Sequence, residues 1–206
     1  GSSFQTSNNF SGLASGTYAV LVKDAHNCLT PVQNQTITQP AAPLSFTYSK
    51  TDVQCFGGNS GEIIINAIGG TAPLKYSING GVSYQSTNTF SGLTAGTYEM
   101  MVKDNNQCET AITTININQP AAALSFTTTQ VNVPCYGDAN GQIIVAASGG
   151  TEPYEYSINN GGSFQSSNVF IGLTSGTYLV LVKDNQSCIT IAQTVNITSP
   201  ASELEM

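Results

Sequence analysis

The side chains in this sequence whose types could do chemistry are five cysteines, three Lys-Asp pairs and one histidine. The cysteines stand at 28, 55, 108, 135 and 188. The pairs are Lys23-Asp24, Lys103-Asp104 and Lys183-Asp184, and the histidine is His26. Thiols form disulfides or hold a soft metal, loop carboxylates ligate calcium, and histidine serves as a general base. A lysine set against core strands can form an intramolecular isopeptide bond. Their spacing decides among these chemistries.

Cys28, Cys108 and Cys188 recur at one constant step in the numbering, and so do Phe10, Phe90 and Phe170, Tyr18, Tyr98 and Tyr178, and Pro40, Pro120 and Pro200. The chain therefore repeats with a period of 80 and no insertions or deletions. Any chemistry common to the copies must recur at that step. His26 fails this test, because Asn106 and Gln186 take its place, and it reads as a solvated loop histidine. Serines are plentiful, but none has a repeated base near it in sequence. The chain is read as no enzyme and as needing no cofactor.

Asp24, Asp104 and Asp184 do recur, each opening the loop before a cysteine. They are the calcium candidates, though an Asx side chain that caps its own turn is the favoured reading. Asp52 would be a second ligand, yet the next copy has Asn132, and no metal is assigned. For Lys23, Lys103 and Lys183, an exposed lysine that discourages edge pairing is favoured over an isopeptide bond.

Each complete copy holds two cysteines at the same spacing, Cys55 with Cys108 and Cys135 with Cys188. Two per copy in a chain so poor in charge point to a disulfide and an oxidising compartment. Pairing within a copy is favoured, since each unit then folds without its neighbour. The alternative pairs Cys28 with Cys55 and Cys108 with Cys135 across the junctions. A thiol-held metal has no second ligand cluster that repeats with the cysteines.

A repeat unit of this length exceeds a solenoid turn and suits an independently folding domain. The divisions are 1–40, the C-terminal part of a copy; 41–120 and 121–200, complete copies; and 201–206, the start of another, since Leu204 is in register with Leu44 and Leu124. In the second copy "LSFTYSKTDVQ" at 44–54 and "GEIIINAIGG" at 61–70 are strand-like runs bounded by turn residues. Asn79-Gly80 predicts a two-residue hairpin turn. In "TYEMMVKD", Tyr98, Met100 and Val102 should face a core, with Glu99, Met101 and Lys103 opposite. The "GLTAGTY" segment resembles a corner at which the Tyr98 ring bonds back to its loop. Six or seven short strands per copy predict an all-β fold of tandem immunoglobulin-like β-sandwich repeats, one to each period, in an extended array.

Charged residues are 8% of the chain, with 5 Lys and Arg against 12 Asp and Glu, for a net charge of -7. Nucleic acid, which is bound by clustered Lys and Arg, is excluded as a partner. No apolar run reaches the length of a membrane-spanning helix, so no membrane insertion is expected.

The strings "CFGGNSGEIIINAIGGTAPLKYSING" at 55–80 and "FSGLTAGTYEMMVKDNNQC" at 90–108 resemble the SprB-type repeat of Bacteroidetes surface adhesins. The family's pattern runs through both complete copies: a cysteine followed by a Gly-Asx-Gly turn, a Gly-Gly-Thr-x-Pro turn, Tyr-x-Tyr-Ser, Gly-Leu-x-x-Gly-Thr-Tyr, and an Asp loop ending in cysteine. The chain departs from it at Leu74, where the next copy has Tyr154, and at Ile78 and Ile158, where the family often has tryptophan. The resemblance implies a very large protein of the bacterial cell surface, exported by the type IX system and acting in adhesion and gliding motility. As partners it implies neighbouring repeats, surface polysaccharide and other adhesin subunits. A structural stalk or fibre is the first expectation. Glycan- or protein-binding modules, with Tyr84, Phe164 and Phe4 as the aromatic set, are the alternative.

Overall fold

The computed structural model describes residues 4–203, and Leu204 lies outside them. Every regular element is a strand. In residues 1–40 these are β1 (Gly16–Val20) and β2 (Gln33–Ile37). Residues 41–120 hold β3 (Ser45–Thr51), β4 (Gly61–Ile68), β5 (Lys75–Ser77), β6 (Thr89–Leu93), β7 (Gly96–Lys103) and β8 (Thr113–Ile117). The same six recur as β9 (Ser125–Val131), β10 (Gly141–Ser148), β11 (Glu155–Ser157), β12 (Val169–Leu173), β13 (Gly176–Lys183) and β14 (Gln193–Ile197).

In each complete copy the strands form two three-stranded antiparallel sheets, β3-β4-β6 facing β5-β7-β8 and β9-β10-β12 facing β11-β13-β14. That order is the A-B-E and C-F-G arrangement of an immunoglobulin sandwich. Alternation builds the core between the sheets. Ile63 and Ile65 of β4 and Met100 and Val102 of β7 are fully buried, as are Ile143, Val145, Val180 and Val182. Burying each such side chain contributes about 1.5–3 kcal/mol, so these few positions dominate the stability of a copy.

Among the described residues, 4–40 contribute the paired β1 and β2 as their regular elements. Val22, in register with the fully buried Val102, is 65% exposed, because no facing sheet covers it. An F-G strand pair alone buries little, and the core requires both sheets.

Tyr98 donates from its hydroxyl to the Thr94 carbonyl at 2.9 Å, and Tyr18 and Tyr178 make the same bond to Ala14 and Thr174. The Gly-Thr-Tyr corner is thus a tyrosine corner in all three copies.

Three local expectations are corrected. Asn79-Gly80 does not close a two-residue hairpin, because the flanking strands pair at Tyr76 and Gln85, leaving eight residues between them. The positive φ angles fall at Gly80 and Gly81, and the buried Ser77 hydroxyl accepts from the Gly81 amide at 3.0 Å, which holds the wider loop. That loop folds over β7 and buries Met101, which alternation alone had placed facing solvent. Lys103 does not guard an edge, because β7 lies at the centre of its sheet.

Candidate functional site

The chemistry-bearing residues collect at the two ends of each sandwich. At the entry end, where the linker arrives, Gly69-Gly70-Thr71 meets the loop after β7. Gly70 donates to the Ala42 carbonyl at 3.2 Å and Asn105 to the Thr71 carbonyl at 2.9 Å. Asp104 locks this arrangement. One of its oxygens accepts from the amides of Asn106 and Cys108, both at 2.9 Å, and the other from Thr71 at 3.0 Å. These bonds, led by that of Thr71, hold its carboxyl below the ordinary value of 3.8, because they favour the charged form. Asp184 repeats the set with Gln186, Cys188 and Thr151, and Asp24 accepts from His26 and Cys28.

The three calcium candidates thus serve as caps for the cysteine loops, each turning its oxygens onto backbone amides. Among the described residues, no three His, Cys, Asp or Glu side chains stand together.

The opposite, exit end carries the loop after β3. Val53 donates to the Asn118 carbonyl at 2.8 Å, Asn118 donates to Asp52 at 2.9 Å, and Gly57 donates to the Gln119 side chain at 2.8 Å. Asp52 is held below its ordinary value, first by the Asn118 amide and then by Lys50. Cys55 sits in this loop, beside the point where the chain leaves for the next copy.

Cys55 and Cys108 therefore lie at opposite ends of one sandwich. The eight residues of β7 alone span about 26 Å, whereas bonded cysteines have Cα atoms within about 7 Å. Distance therefore forbids pairing within a copy, and Cys108 and Cys135, the cross-junction alternative, are both unbonded. The bond that forms is Cys55–Cys188, with Cα atoms 5.8 Å apart and a sequence separation of 133. It ties the exit end of copy 41–120 to the entry end of copy 121–200. Cys28, Cys108 and Cys135 are exposed thiols. One member of each expected within-copy pair, Cys55 and Cys188, is thus bonded to the other, Cys108 and Cys135 are left as thiols, and Cys188, left over in the cross-junction alternative, carries the bond.

Around the disulfide the two ends meet across a crevice of about 260 Å³ lined by Asp52, Gln54, Asn118 and Gln119 from one copy and Thr151 and Gln186 from the next. Val53 and Pro120 of the first copy line it as well, so polar and apolar groups share its surface. The disulfide is the one covalent link between the two complete copies among the described residues, and its signal in the sequence was the recurrence of two cysteines in each of them.

The aromatic set takes a packing role. The Lys103 ammonium lies 4.3 Å from the centre of the Tyr84 ring, Lys183 lies 4.6 Å from that of Phe164, and Lys23 lies 4.8 Å from that of Phe4. Tyr84 also donates to Glu109 at 3.0 Å, and its hydroxyl is raised above its ordinary value by burial and then by that carboxylate. One face of each ring is occupied by a cation, which accounts for the recurrence of the lysines.

Residues 47–83 and 127–163 match the SprB repeat family. The two matched segments stand one full period apart, so each complete copy carries one repeat at the same place, from β3 to the loop after β5 and from β9 to the loop after β11. A search of curated proteins finds no match.

Proposed function

Given an SprB repeat in each complete copy, we propose that the chain is a load-bearing stalk segment of a cell-surface adhesin. Residues 41–120 and 121–200 are its folding units, flanked by 1–40 and 201–206. The observation that carries this reading is the Cys55–Cys188 bond, which fastens one sandwich to the next at the point where the chain passes between them. A disulfide at that place suits an extracellular protein. The resemblance to surface adhesins supports a location on the bacterial surface, export by the type IX route and service in attachment or gliding. The recurring chemistry is spent on capping, corners and the junction, which supports a structural role over catalysis.

Small-angle scattering on the oxidised chain tests this reading. A compact chain of 206 residues has a radius of gyration of roughly 17 Å. Sandwiches placed end to end, each strand layer about 26 Å long before its loops, give a value well above roughly 20 Å. A value near that of the compact chain overturns the stalk.

A further inference from the structure

The three exposed thiols are equivalents of the two bonded ones. Cys135 stands where Cys55 stands, and Cys108 and Cys28 stand where Cys188 stands, at steps of 80. Their loops are also held alike, bonded or not. At the exit ends Val53 donates to Asn118 and Val133 to Thr198, at 2.8 and 2.9 Å, and both valines are buried. At the entry ends the amides of Cys28, Cys108 and Cys188 donate to Asp24, Asp104 and Asp184 at 2.8, 2.9 and 2.8 Å. Asn27, Gln107 and Ser187, each just before a cysteine, share a φ of 65°. A non-glycine residue rarely adopts that angle, so its presence in all three loops marks one fixed shape.

An unbonded cysteine held in the geometry of a bonded one is ready for the same partner. We propose that every SprB copy is a two-ended covalent coupler. The Cys135 loop is an attachment site for the entry-end cysteine loop of the copy that follows it in line, and the Cys108 loop for the exit-end loop of the copy that precedes it. This deepens the stalk reading and rests on it. Each bond spans a sequence separation of 133, which exceeds one period of the repeat, so successive covalent rings overlap and every junction lies inside one.

Each bond forms by oxidation. The two thiols each lose a proton and an electron, their sulfurs join, and the two electrons pass to an oxidised disulfide carrier of the thiol-oxidoreductase class, which leaves as a dithiol.

The test lengthens the full chain by one more copy of residues 121–200, placed directly after residue 200. The chain is oxidised with a glutathione redox couple, its thiols are alkylated, and its peptides are mapped without reduction. The chain as it stands should show one disulfide and three alkylated thiols. The lengthened chain should show two disulfides, with Cys135 joined to the added copy's counterpart of Cys188 and the number of alkylated thiols still three. A Cys135→Ser change in the lengthened chain should leave that counterpart as a thiol. An alkylated Cys135, or Cys135 joined to Cys188, overturns the coupler. Scattering on the same sample keeps the two readings apart, since a rod with free Cys135 sinks the coupler and spares the stalk.

Discussion

Inside copy 121–200, Ile143, Val145, Val180 and Val182 are shut between two sheets. At the junction above it, a sulfur bridge joins two ends that face each other across an open crevice of mixed lining, with Asp52, Val53 and Pro120 on one side and Thr151 and Gln186 on the other. The interior is held by burial, which acts in every copy without reference to its neighbours. The junction is held by a bond that exists only between neighbours. Folding and coupling are therefore separable properties of this chain, and a substitution should damage one while sparing the other.

The largest effect should come from the interior. Ile143→Ala leaves a cavity in a fully buried site and should cost about 3–4 kcal/mol in copy 121–200, read as a shift in its denaturant midpoint. The transition of copy 41–120 should stay in place. If both copies shift together, the interior is not local and the contrast fails.

The next effect lies on the border between the two regions. Gly149 has a φ of +73°, and a Cβ there would fall on the Ala123 carbonyl, backbone against backbone. Gly149→Ala should cost about 2–3 kcal/mol, from the left-handed conformation and the displaced linker together. Slower disulfide formation at Cys188 should accompany it, because Gly150 and Thr151 support that loop. Thiol trapping during refolding reads the rate, and an unchanged rate would separate the turn from the junction.

The smallest effect is set by pH. Asp104 titrates below 3.8 in the folded chain, so its charged form adds stability that is fully present above that value. That stability is lost as the pH falls through the lower, folded value. Carboxyl titration by NMR should place the midpoint below 3.8, and exchange at the Cys108 amide should quicken across the same window. Asp104→Asn should abolish the dependence, and a midpoint at or above 3.8 would contradict the cap.

What the sequence disclosed follows the same division. The sandwich interior was legible because burial imposes a period of two, which marked Met100 and Val102, and because the Gly-Thr-Tyr string recurs where Tyr98 bonds to Thr94. The place of Lys103 was not legible, since strand order depends on pairing between distant segments. Met101 escaped notice because the loop that covers it is held by Ser77, a side-chain contact with no spacing signature. The cysteine pairing misled for a related reason. Their separation in sequence says how far apart Cys55 and Cys108 lie along the chain, and nothing of the sandwich ends to which β3 and β7 deliver them. The period held the answer only once each cysteine had been placed at an end.

Pulling the oxidised chain apart from its two termini tests the covalent junction most directly. The Cys55–Cys188 bond holds back 133 of the 206 residues, so full unfolding should release a contour of about 250 Å, rising to about 700 Å after reduction. Two bonds within copies would instead release about 340 Å before reduction. That length, or one unchanged by reduction, would contradict a stalk whose units are bound end to end.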